Sequence, residues 1–584
     1  TSVGDLDAAF DRSEFVLETT CEISGQHAAA MEPHATVAEW QDGELTLRMS
    51  VQILATARTA IARTLGIDEA KVRIRSPFIG GGFGSKLGIH NEAVLAALAA
   101  TALGAPVRVV QSRRELFANG PHRAATRQRI RLGADGDGRL LAIEHHVRST
   151  MARGYPFAEA APSPTHASYA ADAIRTSCRI VPADVPKVDS MRAPGEAVGS
   201  IALETAIDEM AETCGMDPLR FRLANAPKAH PVSGKPFSTR RLEECLSTAA
   251  SRFGWEEGPR RPGARREGRL LVGQGIAAAI RPNHLRPATA AVSIDAAGRL
   301  MLQLDMTDIG TGSYTILTQI ASEIMGMRPG DVAVTLADTR YPKTSGSGGS
   351  FGAASAGSAA RDACRNLKGE LLRRARRLSD WHGVNVEEVE IAGGELRAGG
   401  RAVRLETLLD GAGAIQAAGA IQPGPAHEAL EQYSYDAQCA EVTVDADVGE
   451  IRVRRMLGVF EAGRILNPKT ARSQLMGGMI FGIGAALLEA SEIDPRNGAF
   501  VHRDLAGYRI PVNADVPELE VETLDGFDDN ANPLGGKGIG ELGVCGAAAA
   551  IANAVYDATG FRPRRFPIRI EDVIEALPDQ AEAA

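Results

Sequence analysis

The chain has 584 residues, which at roughly 150 residues per domain is several domains' worth of packed core and excludes a small disulfide scaffold. With 64 Lys+Arg against 73 Asp+Glu the formal net charge is −9, the wrong sign for a protein whose main surface meets nucleic acid. A hydrophobic share of 44% with 23% charged residues is that of a folded globular protein and excludes disorder.

Glycine is in excess, 62 residues of the 584, against a usual share of about 7%, and aromatics reach only 5%. Glycine without a collagen period marks tight turns and places where backbone lies against backbone or a large ligand. The seven cysteines contain no CxxC pair, so neither a zinc ribbon nor an iron–sulfur run is encoded. The longest apolar stretch, Ala93 to Val107, is broken by Thr101, Gly104 and Pro106. It falls short of the roughly 18 residues a membrane span needs.

In chain order, residues 44–52 alternate as a strand, and a helix-like run follows to Leu65 and Gly66. Lys71 to Arg75 reads as a strand, Ile79 to Lys86 as a glycine loop, and a helix capped by Asn91 ends near Gly104. The same order returns much later. Leu300 to Asp305 alternates, Gly310-Thr311-Gly312-Ser313 turns into a helix carrying Leu317, Ile320 and Ile324, and Gly326 ends it. Asp331 to Leu336 is again a strand, and the loop Ser345 to Gly352 leads to a helix from about Ala356. Gly66 matches Gly326 and Val72 matches Val332, so one strand–helix–strand–loop module is used twice. Between the copies lies a helix from Ser200 to Cys214 with Leu203, Ile207 and Met210 on one face. Pro259 to Gly268 reads as an exposed linker. Residues 383–429 read as a smaller Gly/Ala-rich excursion, Gln474 to Leu488 as a glycine-interrupted helix, and the tail after Pro578 as frayed.

Four glycine turns carry the chemistry: Gly80–Lys86, Gly310–Ser313, Ser345–Gly352 and Gly535–Glu541. Amides at a helix start, with the macrodipole, bind anions, so four such turns predict a cradle for a large phosphorylated ligand. The phosphate-loop pattern fails, because Gly80 plus five is Ser85 and Lys86 is followed by Leu87. A G-x-G-x-x-G stands at Gly538, Gly540 and Gly543, but it follows the loop Asp528 to Pro533 rather than a strand. Glu541 joins that turn to an Ala-rich helix. There it is either a general base tuned by burial and by the helix start, or a plain helix cap. Arg192, on the rigid Ala193-Pro194-Gly195 turn, either orients a substrate oxygen or pairs with Glu196 or Glu204.

Gly80 to Lys86, Met191 to Gly195, Asp308 to Gly312 and Gly538 to Glu541, in this order and spacing, together resemble the molybdenum subunit of the xanthine oxidase family of molybdenum hydroxylases. Gln26-His27 followed by Met31-Glu32-Pro33-His34 resembles the bacterial three-subunit aldehyde oxidase branch. The resemblance implies a mixed α/β (α+β) fold of two elongated, internally repeated molybdopterin-binding domains. These are residues 1–258 and 270–584, with a linker at 259–269 and without the hammerhead domain that precedes them in many members.

It further implies molybdopterin cytosine dinucleotide, with molybdenum carrying oxo and sulfido ligands and no protein ligand. Gln52, Gly82 and Phe83 would lie beside the metal. Gly310, Thr311, Gly312, Gly352 and Ala353 would line the pterin and pyrophosphate. Arg464, Ile465, Leu466, Asn467, Pro468, Lys469, Thr470 and Gln474 would hold the nucleotide end, and Lys537, Gly538, Ile539 and Gly540 would close over the metal. Glu541 would be the general base, with Arg192 and Arg281 orienting the substrate oxygen. Leu87 stands where purine-oxidising relatives place a glutamate. That favours aldehydes, aromatic ones among them, over purines, with an N-heterocycle such as quinoline as the rival substrate. A cofactor-free binding protein is the rival of another class. Electrons would leave through a two-iron two-sulfur subunit and an FAD subunit, and the compartment stays open between periplasm and cytoplasm.

Overall fold

Each half of the chain is built on one pattern, a sheet with four matched strands interrupted after the first of them by a small α/β module. The computed structural model describes residues 1–378 and 381–577, and the expected frayed tail lies outside them. In the first half β1 (Phe15–Ile23) leads into β2 (Ala35–Gln41), β3 (Glu44–Met49), α1 (Leu54–Leu65), β4 (Val72–Arg75), α2 (Asn91–Leu103) and β5 (Val107–Val110). The chain returns to the first sheet as β6 (Thr126–Ala134), β7 (Leu140–Ala152) and β8 (Ala173–Ala183), followed by α3 (Glu196–Thr213). In the second half β9 (Leu270–Pro282) leads into β10 (Ala288–Asp295), β11 (Leu300–Leu304), α4 (Ser313–Met325), β12 (Val332–Leu336), α5 (Gly352–Leu378) and β13 (Ala414–Ile421). It returns as β14 (Tyr433–Asp445) and β15 (Ile451–Glu461), then α6 (Pro468–Leu487), β16 (Glu518–Thr523) and α7 (Ala547–Thr559).

The two modules share strand order and sense. They run β4-β3-β2-β5 and β12-β11-β10-β13, with the β3–β4 and β11–β12 pairs parallel and the others antiparallel. Gly66 and Gly326 both end their helices in left-handed conformation, with φ of 67° and 65°. The repeat extends beyond the module that the sequence reveals. The large sheets β1-β6-β7-β8 and β9-β14-β15-β16 also match, each with two antiparallel pairs and then a parallel one. The modules join edge to edge where Arg75 bridges Asp338 and the Arg73 guanidinium reaches the same carboxylate at 2.6 Å. They share one apolar core.

The glycine and alanine excess is used in packing. A Cβ on Gly273 or Gly275 of β9 would lie 2.1 Å from the carbonyl oxygens of Ala554 and Ala550. The Ala-rich α7 therefore rests directly on the strand's backbone. Among the described residues Leu542–Thr559 is the one stretch long and apolar enough to cross a membrane, and 89% of it is buried inside the protein. It packs in the core against α3, β9 and β14.

Several local expectations shift. Asn91 is the first helical residue of α2, and the cap is His90 with no side-chain bond. Helices α3, α5 and α6 begin four to six residues earlier than read, at Glu196, Gly352 and Pro468. The excursion at 383–429 contains a three-stranded sheet, Glu390–Ala392, Glu395–Ala398 and Arg401–Arg404, as well as β13 of the module. The halves also interlock, since Arg565–Phe566 adds a parallel strand beside β1. Gly275→Val is expected to cost about 1–3 kcal/mol or more through overpacking. Gly369→Ala, in mid-helix with nothing within 4 Å of its Cβ position, is expected to stabilise by about 0.5–1 kcal/mol. Denaturant midpoints at constant slope check both.

Candidate functional site

The repeat brings matching loops face to face. The glycine loop after β4 meets its counterpart after β12, and the turn that follows β8 into α3 meets the loop that follows β16 into α7. Between them lies a cavity of about 670 Å³, also bordered by the starts of α4, α5 and α6. Of the sequence-derived residues, Gln52, Phe83, Leu87, Arg192, Arg281, Gly310, Thr311, Gly352, Ala353, Arg464, Ile465, Leu466, Asn467, Thr470, Gln474, Lys537, Gly538, Ile539, Gly540 and Glu541 border this cavity. Gly82, Gly312, Pro468 and Lys469 do not. Gly82 sits behind the wall, where a Cβ would lie 2.5 Å from Gln52 Oε1, and Gly312 backs onto Thr470 at 2.7 Å. Pro468 and Lys469 face solvent.

Gln52 ties the two glycine loops together. Its Oε1 accepts from the amides of Gly84 (3.0 Å) and Lys86 (3.3 Å), and its Nε2 donates to Ser347 O (2.7 Å). Phe83, Ala193 and Ser350, one from each of three loops, hold left-handed φ of 54°, 57° and 57°. Non-glycine residues adopt that region at about 1–2 kcal/mol each, so the surrounding bonds hold stored strain. The Lys86 ammonium turns inward, fully buried, onto Glu32 at 2.6 Å. From this loop the cavity therefore meets backbone and not the Lys86 charge. At α4 the amides of Gly310, Gly312 and Tyr314 donate to Asp308, so the first turn of this helix already holds a carboxylate.

Helix α6 is capped by Asn467, whose Oδ1 accepts from Thr470 N (3.0 Å), with Pro468 in the first turn. Asn467 Nδ2 reaches Gln319 and Arg464 pairs with Glu323 at 2.7 Å. Gln474 Nε2 donates to Gly310 O. Lys537 contributes only backbone to the cavity. Its buried Nζ donates to Glu461 (2.6 Å), Tyr433 O and Thr239.

Arg192 pairs with neither Glu196 nor Glu204. Its Nε donates to Gly540 O (2.9 Å) and its Nη2 to Gln474 O (2.7 Å), while its guanidinium lies 5.8 Å and 5.2 Å from the Phe83 and Phe481 ring centres. Burial brings its pKa down to about 10. The turn is anchored below by the fully buried Arg123–Glu159 pair (2.9 Å), with Arg123 donating to Arg192 O and Gly195 N donating to Glu159.

Glu541 stands at the N-cap position of the short 3₁₀ turn Leu542–Val544, but its side chain makes no capping bond. Its Oε1 accepts from Ala193 N (3.1 Å), and its Oε2 accepts from Ser350 Oγ (2.8 Å) and from Arg281 Nη2 (2.8 Å). Burial pushes the carboxyl up, but Arg281, Ser350 and Ala193 outweigh it and hold its pKa below the ordinary 4.5. A depressed folded-state pKa adds stability that is present above about 4.5 and lost as pH falls through the lowered value. Arg281, expected to orient substrate, has its fork on two carboxylates instead, Glu541 and, at 3.3 Å, Glu196. The sequence reading missed Ser350 and the Ala193 amide.

Residues 1–226 and 248–517 each match the molybdopterin cofactor-binding domain. The chain is 44% identical over 580 residues to the aldehyde oxidoreductase molybdenum-binding subunit PaoC of Escherichia coli (strain K12), covering 99% of this chain and 78% of that protein. The chain belongs to the molybdenum hydroxylase family. Within this family it is 28% identical to the 6-hydroxypseudooxynicotine dehydrogenase complex subunit gamma of Paenarthrobacter nicotinovorans, over 98% of this chain and 75% of that one. The fold matches quinoline 2-oxidoreductase from Pseudomonas putida 86 with a TM-score of 0.87 at 24% identity, covering 99% of this chain and 79% of that chain. The aldehyde oxidoreductase from Desulfovibrio gigas gives 0.85 at 24% identity, covering 99% and 63%.

Arg281→Met is expected to let burial dominate Glu541 and raise its pKa toward that of Glu92 and Glu489, which burial lifts to about 7. An infrared titration of the protonated carboxyl band, assigned with Glu541→Gln in the same background, checks the shift.

Proposed function

We propose that this chain is the molybdenum-bearing subunit of an oxidoreductase that converts aldehydes to carboxylic acids, with molybdopterin cytosine dinucleotide in the cavity. The carrying observation is Glu541, a buried carboxylate with both oxygens held and its pKa kept low, on the wall of a cavity bordered by three helix starts. The cavity volume falls within the about 300–1,000 Å³ usual for ligand sites. The backbone at Gly352–Ala353, and Asn467, Thr470 and Gln474 at the start of α6, suit pyrophosphate and nucleotide through amides and neutral donors. Because Asp308 fills the first turn of α4, the anionic part of the ligand belongs against α5 and α6. Gln52, Phe83 and Gly538 to Gly540 border the end at which Glu541 lies.

When bound, the cofactor supplies two-electron oxidation at molybdenum. The balance is RCHO + H₂O → RCOOH + 2e⁻ + 2H⁺, and Glu541 takes up one of those protons on its carboxylate. Ser350, Ala193 N and Arg281 keep that carboxylate charged and fixed, so no reorganisation is needed when the proton arrives. Arg281 is thus assigned to holding the base. Arg192, whose Nη1 has no hydrogen-bonding protein partner among the described residues, is left as the group that meets the substrate oxygen. Phe83, Leu87 and Met191 give the cavity an apolar side that suits an aldehyde with an apolar or aromatic body and offers a purine no carboxylate at position 87. The seven cysteines are all free, so a two-iron two-sulfur subunit and an FAD subunit are the proposed route for the electrons.

Glu541→Gln is expected to lower kcat by at least about 10²–10⁴-fold with molybdenum content unchanged, read by aldehyde turnover with a dye acceptor. Heating the wild-type protein should release CMP in proportion to molybdenum; release of no cytosine nucleotide would sink the dinucleotide assignment. Turnover of aldehydes should exceed that of xanthine and quinoline.

A further inference from the structure

Arg281 stands between two carboxylates, and only one of them borders the cavity. The other, Glu196, opens α3 and is 4% exposed. Its Oε1 accepts from Ser163 Oγ at 2.8 Å, and its Oε2 lies 3.3 Å from Arg281 Nη1 with no other partner among the described residues. Glu196 also sits three residues after Ala193, whose amide holds the opposite oxygen of Glu541. The turn between them is pinned by Glu159 and Arg123, so Glu196 and Glu541 are fixed on either side of one guanidinium.

We propose that Glu196 is a positioning residue for Glu541: it anchors Arg281 from behind, and its charge decides how much of the guanidinium's pull the Glu541 carboxylate feels. The proposal rests on reading Glu541 as the base. With Glu196 ionised, Arg281 is shared between two anions, and Glu541 binds a proton more readily. With Glu196 protonated, the whole cationic charge bears on Glu541 and weakens it as a base. Burial and the neighbouring Glu541 push Glu196 up while Arg281 and Ser163 pull it down, leaving it above its ordinary 4.5. Glu196 therefore takes a proton at higher pH than Glu541, whose own pKa is depressed.

The other groups around the triad do not replace this control. Burial raises the thiol of Cys545, which donates to Glu541 O, and raises Tyr433 and Asp436 on β14. Burial lowers His284 to about 4, leaving it uncharged near neutrality. The Arg192 cation, which also feels Glu541, makes its protein hydrogen bonds to the carbonyls of Gly540 and Gln474 and none to the Glu541 carboxylate.

The test is Glu196→Gln in the complete enzyme. In the wild type, kcat/KM should fall on acidification in a step above pH 4.5. In Glu196→Gln the step should vanish and the rate near neutrality should stay at the low, acid-side level, several-fold to tenfold below wild type, with KM little changed. Glu196→Asp, which keeps the charge, should restore the step in part, and serves if the glutamine variant fails to fold. Infrared titration of the protein freed of cofactor should show a protonated carboxyl appearing above pH 4.5 that is missing in Glu196→Gln. An unchanged pH step, or a uniform loss of rate with the profile's shape retained, overturns the proposal. If Glu541→Gln keeps turning over, the base assignment fails instead, while the infrared result still reports whether Glu196 titrates against Arg281.

Discussion

A carboxylate buried in a protein keeps its charge only if cations and hydrogen-bond donors replace the water it has lost. For Glu541 that replacement comes from three separate parts of the chain: the Arg281 guanidinium at the end of β9, the Ser350 hydroxyl in the second glycine loop, and the Ala193 amide before α3. None of these groups is near position 541 in sequence, and all three must be in register for the charge to survive. The rest of the architecture serves that meeting of segments. Arg192 ties the Gly540 and Gln474 carbonyls together, Gln52 binds one glycine loop to the other, and Lys537 is locked to Glu461 beneath the last loop.

The internal duplication explains how such distant segments come together. Two copies of one sheet-and-module unit related to each other place equivalent loops opposite one another, so a single cleft collects both glycine loops and both pre-helix turns. Close approach of the copies requires thin interfaces. Gly346, whose Cβ would lie 2.8 Å from Gln52 O, provides one, and within the second half glycines on β9 do the same against the alanines of α7, with backbone meeting backbone where larger side chains would hold the layers apart. An aromatic share of 5% and an abundance of glycine are the compositional trace of that packing.

Much of this was legible in the sequence because it is local. The module repeat showed in matched helix-ending glycines and strand valines, and the four glycine turns showed as turns. The motifs around Arg192 and Glu541 pointed to a family before any coordinates. Side-chain direction was not legible. The resemblance assigns Lys469 to the nucleotide end, yet it faces solvent, and Lys86 and Lys537, whose direction no local pattern gives, are buried on Glu32 and Glu461. A charged residue in a loop can satisfy itself on either side, and the choice depends on acidic partners that only the fold brings near. Arg281 shows the same limit. It enters only through the resemblance, and its two carboxylate partners lie 85 residues before it and 260 residues after it, with no local pattern to connect them.

The short strand Arg565–Phe566 pairs beside β1, with Arg564 O and Phe566 O accepting from Glu22 and Ser24. The outer edge of the first sheet is therefore finished by a segment from the second half of the chain. During synthesis, when domains ordinarily fold as they emerge, the first half waits with that edge unpaired until residues 565–566 are made. Such an open edge invites wrong partners, so a slow or stalled ribosome exposes this protein to aggregation more than its finished stability would indicate.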